Sequence, residues 1–173
     1  GDGNMISFIQ SNYRGFGSGL VVPGTGISLN NRGFDFSMDR KSANFIEGRK
    51  RPYNTIIPGF MTKAGKAVGP FGLMGGYMQP QGHIQLLVNI LERGMNPQDA
   101  LDEPRWQWTG GRDISVEKNF PREIRDELEK RGHRIIETLD SSFFGRGQII
   151  IRGEGGELYG AKEKRADSLI ATW

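Results

Sequence analysis

The hydrophobic positions of this chain change period along its length, and the changes mark out its elements. Residues 5–12 mix apolar and small polar types without helical spacing, which predicts a strand. Gly15-Phe16-Gly17-Ser18-Gly19 breaks that strand, and Leu20-Val21-Val22 then closes on the turn pair Pro23-Gly24. Residues 36–52 are polar, charged and aperiodic, the pattern of a long loop, and long loops in compact domains are usually functional or mobile. Lys63-Ala64-Gly65-Lys66 predicts a hairpin joining residues 56–62 to 67–73. Ile84, Leu87, Val88 and Leu91 fall at i, i+3, i+4 and i+7, which predicts an amphipathic helix over residues 81–93, stopped by Gly94. Asn96 as N-cap and Pro97 at the first helical position start a short helix that ends before Pro104. A third helix is expected over 121–131, with Ile124 and Leu128 on one face and Gly132 after it. Short strands fit 114–117, 134–137, 148–152 and 158–161, the last two joined by the turn Glu154-Gly155-Gly156-Glu157. Strands and helices come in runs rather than strict alternation, which favours a layered α+β sandwich and a single domain over residues 1–173.

Composition narrows the chemistry. Glycine supplies 26 of 173 residues, twice the usual share of about 7%, which suits tight turns and close backbone approaches. The absence of cysteine removes disulfides, thiolate nucleophiles and cysteine metal sites together. His83 and His133 are the only histidines, which argues against a histidine metal cluster. No apolar run is long enough to span a membrane, and no basic stretch followed by an apolar one reads as a signal peptide on this chain. A net charge of +3 and a pI near 9.3 permit nucleic-acid binding without demanding it, and Arg49-Lys50-Arg51 reads as a solvated loop.

A self-contained catalytic set is hard to assemble from these residues. There is no Gly-x-Ser-x-Gly elbow, phosphate-binding loop or dinucleotide fingerprint. His83 is expected to cap or pack, and His133 to sit at a helix C-terminus where the dipole favours it. Trp106 and Trp108 read as core or interface aromatics. Four segments read as a site: residues 16–19, 29–36, 49–55, and Met74-Gly75-Gly76-Tyr77, whose glycines could aim free N–H groups at a developing oxyanion.

An ordered set of short motifs spans the chain: Asp-Gly-Asn, Phe-Gly-Ser-Gly, Pro-Gly-Thr-Gly-Ile, Leu-Asn-Asn, Asp-Phe, Lys-Arg-Pro and Gly-Gly, then Gly94-Met95-Asn96-Pro97, Ala100-Leu101-Asp102-Glu103-Pro104-Arg105, Val116-Glu117 and Arg131-Gly132-His133. In that order the set resembles the small subunit of the γ-glutamyltransferase family. Residues 10–13 and 74–83 resemble its branch labelled γ-glutamyltransferase-like or cephalosporin-acylase-like. The resemblance implies the small-subunit portion of an N-terminal-nucleophile hydrolase, a four-layer αββα sandwich shared with a large subunit cut from the same precursor. It implies an amidohydrolase or acyltransferase that cleaves γ-glutamyl amides through a threonine nucleophile exposed by self-cleavage, with water or an amine as acceptor. The alternatives are a cephalosporin- or glutaryl-type acylase and a non-catalytic binding or scaffold homologue. No cofactor, metal, nucleic acid or membrane span is implied. The nucleophile would lie upstream of Gly1.

Carried over position by position, the resemblance gives Ser11 the role of the hydroxyl that supports the nucleophile, and Gly75 and Gly76 that of the oxyanion pair. Asp35 would bind the substrate α-ammonium, and Asn54 and Thr55 stand where two serines hold the α-carboxylate. Tyr13 and Arg32 fall at substrate-binding positions where the family has an asparagine and a carboxylate or amide. Both are departures, each open to a new ligand or a lost pocket. The bland alternative for Asp35 is to cap a turn or to pair with Arg32.

Overall fold

The computed structural model describes residues 2–172. Two compact units make up the chain, one of Gly1–Ser7 with Ile57–Trp173 and the other of Phe8–Ile56.

The larger unit is built on two sheets. Strands β1 (Gly59–Lys63) and β2 (Lys66–Met74) form the expected hairpin, with Ala64 and Gly65 both at positive φ, as a two-residue hairpin turn requires. Strands β6 (Arg146–Arg152) and β7 (Leu158–Lys162) complete an antiparallel sheet in the order β1-β2-β6-β7. Burial alternates along β2, where Gly69, Phe71 and Leu73 face inward. Against that face lie α1 (Met78–Leu91) and α2 (Pro97–Asp102), and Phe71, Leu73, Leu86, Leu101 and Ile149 close the core between the layers. The second sheet has β3 (Trp106–Gly110) and β4 (Asp113–Glu117) antiparallel and β5 (Arg134–Thr138) parallel to β4. Helix α3 (Arg122–Lys130) makes the crossover that a parallel pair needs. Ile114, Val116 and Phe120 form its smaller core, with Trp106 packed against them.

Sequence signals set most element ends. The Asn96 side chain accepts from the Asp99 N–H at 2.9 Å, capping α2 as expected. Helix α3 stops as the His133 N–H reaches the Leu128 carbonyl and the Gly132 N–H that of Glu129. Helix α1 starts at Met78 rather than Gln81. Pro80 stands at its third position, where the N–H is not needed for an intrahelical bond, so it lies inside the helix at no cost to it. The helix turns Met78, Gly82 and Leu86 inward. A Cβ at Gly82 would come within 2.8 Å of Leu73 Cδ2, so the glycine sets how closely α1 approaches the sheet. Ile84 and Leu91 are left 61% and 69% exposed.

Two expectations need correction. Residues 5–12 pair in no ladder. Burial still alternates, with Met5, Ser7 and Ile9 half-buried and Ile6 and Phe8 exposed, but a strand needs a neighbour to take its backbone bonds, and among the described residues none does. Strand β3 was not expected, although Trp106-Gln107-Trp108-Thr109 alternates large and polar side chains. It exists because β4 offers a partner.

The two sheets are joined by a buried charge network. Arg105, 4% exposed, donates through Nη1 to the carbonyls of Phe144 and Gly145, both at 2.9 Å, and through Nη2 to Glu163 Oε2 at 2.8 Å. Glu163, 1% exposed, also accepts from the Gly147 N–H and from Arg165 Nη1, each at 2.8 Å. Arg165 grips both carboxylate oxygens of Glu117 at 2.6 Å, and its Nη2 reaches the Glu103 carbonyl. Glu117 Oε2 in turn accepts from the Arg105 N–H at 2.7 Å. Burial by itself would raise the Glu163 carboxyl, but the Arg105 charge and the hydrogen bonds from Arg165, Arg105 and Gly147 outweigh it and hold the group below its ordinary value. Burial and the neighbouring Arg165 lower Arg105.

Two outcomes are expected. Expressed by itself, the chain should aggregate or fold only in part, because Phe8 (80% exposed), Ile84 and Leu91 lack cover; co-expression with the large subunit that the resemblance implies should restore solubility. A soluble, cooperatively melting monomer of residues 1–173 would rule this out. In the co-expressed protein, Glu163→Gln should cost about 3–5 kcal/mol, since it leaves two buried guanidinium groups under-compensated. The folded-state pKa of Glu163 is depressed, so its contribution is complete above the unfolded value of about 4.3 and is lost as pH falls through the folded value. Urea midpoints of the parent and Glu163→Gln proteins should therefore converge on the acid side.

Candidate functional site

The smaller unit carries all five residues singled out as substrate-binding, Tyr13, Arg32, Asp35, Asn54 and Thr55. Its frame is a two-armed turn: the Thr25 N–H bonds the Val22 carbonyl across Pro23-Gly24, and Val22 and Leu29 bond back to Ile27 and Leu20. Ser18 and Ser28 spend their hydroxyls on the carbonyls of Leu29 and Phe16, so residues 16–19 hold the frame together. The 3-10 turn Arg32–Asp35 follows, and it places the arginine and the aspartate on one short turn.

Those two charges do not pair with each other. Arg32 donates from Nε to Thr55 Oγ1 at 2.9 Å, and from Nη2 to the Ser11 carbonyl at 2.9 Å and the Ser11 hydroxyl at 2.7 Å. Asp35 Oδ1 instead accepts from the Tyr13 hydroxyl at 2.6 Å. Tyr13 adopts φ +78°, uncommon for a residue with a side chain and the kind of local strain that marks functional positions. The Arg14 guanidinium lies 4.2 Å from the Phe34 ring centroid and 5.4 Å from that of Tyr13, bracing the aromatic side of the cluster. The hydrogen bond to Asp35 is the main reason the Tyr13 hydroxyl titrates above its ordinary value; desolvation and the Asp35 charge add to it, and Arg14 opposes it.

Ser11 has a defined polarity in this arrangement. Its hydroxyl oxygen accepts from Arg32 and, at 3.4 Å, from the Tyr13 N–H. With both lone pairs engaged, the hydroxyl proton is what remains to be given away.

Asn54 does not join the cluster. Its amide turns to the Ile56 carbonyl at 3.0 Å, a local bond two residues along the chain. Sequence reasoning missed Asn44, whose amide donates to the Asp35 carbonyl at 2.6 Å while its oxygen accepts from the Tyr53 N–H at 3.2 Å. One polar residue in a long polar loop carried no signal of that role.

Gly75 and Gly76 belong to the larger unit. Their carbonyls accept from the N–H groups of Met78 and Gln79, both at 3.1 Å, which starts α1. Neither glycine N–H donates to a turn or side-chain acceptor among the described residues. Gly75 has φ +141° and Gly76 φ +58°, conformations that favour glycine, so the sequence at this turn is set by the backbone. His83 packs as expected: it is buried beside Phe71, with its ring nitrogens on the carbonyls of Gln79 and Ile57. Among the described residues no group of three or more acidic or histidine side chains could hold a metal ion, and no helix is long and apolar enough to cross a membrane.

Residues 1–173 match the family described as Gamma-glutamyltranspeptidase. The chain is 38% identical over 172 residues to the glutathione hydrolase-like YwrD proenzyme of Bacillus subtilis, covering 96% of this chain and 33% of that protein. It is 33% identical over 175 residues to the oxamate amidohydrolase proenzyme of Klebsiella pneumoniae, covering 98% of this chain and 33% of that protein. The chain thus spans about a third of the length of these curated relatives. Among solved structures, a cephalosporin acylase from Bacillus halodurans superposes with a TM-score of 0.91 at 55% identity, over 95% of this chain and 31% of that one. A gamma-glutamyltranspeptidase from Pseudomonas nitroreducens, complexed with L-DON, gives 0.84 at 25% identity, over 99% of this chain and 95% of that one. The α+β fold is therefore that of these N-terminal-nucleophile hydrolases.

If the Asp35 bond holds the Tyr13 proton, Asp35→Asn should bring the Tyr13 pKa down towards its ordinary value near 10. A tyrosinate absorbance titration of parent and variant reads this directly, and superimposable curves would exclude the bond in solution.

Proposed function

Because this chain belongs to the Gamma-glutamyltranspeptidase family, we propose that it supplies the substrate-binding and oxyanion parts of an amidohydrolase or acyltransferase completed by a large subunit from the same precursor. The nucleophile in this reading is a threonine upstream of Gly1, freed by self-cleavage, whose α-amine takes the proton of its own hydroxyl. The hydroxyl oxygen attacks the amide carbonyl, and the negative charge that develops on the carbonyl oxygen falls to the N–H groups of Gly75 and Gly76. The amine leaves with the proton, and the acyl-enzyme passes its acyl group to water or to an acceptor amine. Ser11, with its proton left to give, donates to the threonine oxygen and holds it in line.

The observation that carries this reading is the Gly75-Gly76 turn, with two uncommitted N–H groups at the N-terminal end of α1, where the helix dipole also favours negative charge. For the acyl group, Asp35 supports γ-glutamyl amides. Among the described residues the side chain hydrogen-bonded to it is Tyr13, a neutral hydroxyl rather than a cation, which leaves the carboxylate open to an α-ammonium. The 55% identity to a cephalosporin acylase supports the second reading, an acylase acting on glutaryl-type amides.

Proline at position 75 would remove an N–H, but it fixes φ near −65° and cannot occupy a site at φ +141°. An ester is the cleaner probe. Replacing Gly76 by glycolic acid in the assembled, self-cleaved protein deletes the N–H and keeps the backbone path. Turnover of γ-glutamyl anilide should fall by about 10²–10³-fold with the subunits still associated. Undiminished turnover would reduce the glycine pair to a packing role.

A further inference from the structure

We propose that Arg105 and Gly145 are positioning residues for the acyl transfer: together they fix the direction of the Gly75 N–H, one of the two donors assigned to the developing oxyanion. The proposal rests on the acyl-transfer reading above and goes beyond it in saying what holds that donor in place.

The ladder between β2 and β6 ends at the pair Met74 and Arg146. Gly75 and Gly145 are the next residues on either side, so two glycine backbones face each other past the last rung. The packing there leaves no room for a side chain. A Cβ on Gly75 would fall 3.0 Å from Gly145 Cα, and one on Gly145 would fall 2.7 Å from the Met74 carbonyl oxygen. Gly145 also has φ +76° and ψ 168°, a conformation essentially confined to glycine.

The close approach falls on the peptide group that carries the donor. The Met74 carbonyl and the Gly75 N–H belong to one planar trans peptide and point in opposite directions. Whatever limits the swing of the carbonyl therefore aims the N–H, and Gly145 stands on the carbonyl side. Gly145 is itself held from below. Arg105, 4% exposed, donates from Nη1 to the carbonyls of Phe144 and Gly145, both at 2.9 Å. Those carbonyls belong to the two peptide groups that flank Gly145 Cα, so one nitrogen fixes the planes on both sides of it. Nη2 is anchored on the Leu101 carbonyl and on Glu163, which keeps the guanidinium from turning. A lysine at 105 could keep the charge beside Glu163, but its single nitrogen cannot reproduce the fork.

Arg105→Lys and Gly145→Ala are compared with the parent in the assembled, self-cleaved protein, on γ-glutamyl or glutaryl anilide, whichever the parent turns over. The oxyanion contact belongs to the transition state, so kcat should fall by about 10²-fold while KM stays within about twofold. Both substitutions are then repeated with Gly75 replaced by glycolic acid, which deletes the N–H and keeps the backbone path. With no N–H left to aim, each should cost no more than about a further twofold. If one variant does not assemble, the other decides. A loss carried by KM, a loss that persists in the ester background, parent-like turnover in both variants, or failure of both to assemble overturns the proposal and leaves the acyl-transfer reading standing. A parent that cleaves neither anilide, or a Gly75 ester that turns over as fast as the parent, defeats that reading and the proposal with it.

Discussion

The architecture of the larger unit depends on four charged side chains that have been taken out of water. Arg105 leads into β3, Glu117 ends β4, and Glu163 and Arg165 follow β7, so the network pins the three-stranded sheet to the four-stranded one. Burying such charges is costly unless every donor and acceptor is met. Here backbone groups meet them: the carbonyls of Leu101, Glu103, Phe144 and Gly145 accept from the guanidinium donors that the carboxylates leave open, and the N–H of Gly147 donates to Glu163. The stretch entering β6 is fixed as a result. Gly145 and Gly75 approach each other closely, a Cβ on Gly75 falling 3.0 Å from Gly145 Cα, so the network and the glycine turn share a neighbour.

In the smaller unit, charge is treated in the opposite way. The larger unit pairs its buried arginines with glutamates, whereas Arg32 and Asp35 are oriented by hydroxyl and carbonyl groups and left charged. A charge that holds a fold together is best cancelled within the chain, and one that meets a ligand is best held in place by groups that leave it intact. Ser11 links the two sides of the cluster: its hydroxyl oxygen accepts from Arg32 and from the Tyr13 N–H, which leaves its proton to be donated.

Much of this was legible in the residues themselves. The Ala64-Gly65 hairpin, the Asn96-Pro97 helix start and the Gly132 helix stop are local signals, and local geometry answered each one. Ser11, Tyr13, Arg32, Asp35 and Thr55, spread over 45 positions of sequence, were singled out by an ordered resemblance, and they do meet in one cluster. Asn54 was singled out on the same grounds and turns away to its own backbone. A matching residue type at a matching position does not determine a rotamer.

The sequence by itself determined where the chain turns, which stretches are helical and which side chains are chemically fit for a site, because those properties follow from residues a few positions apart. Only the tertiary structure decided the rest. Residues 5–12 carry a strand's alternation without a strand's bonds, because a ladder needs a partner that no local pattern supplies. Arg105 and Glu163 are 58 residues apart, and nothing in either neighbourhood says that they meet out of water. Arg32 could equally have paired with Asp35 three residues on; what prevented it was Thr55, 23 residues away, and the Ser11 hydroxyl, 21 residues back. Which of several possible partners a charge takes is a competition settled in space, and its outcome decides whether that charge stabilises the fold or remains available to a ligand.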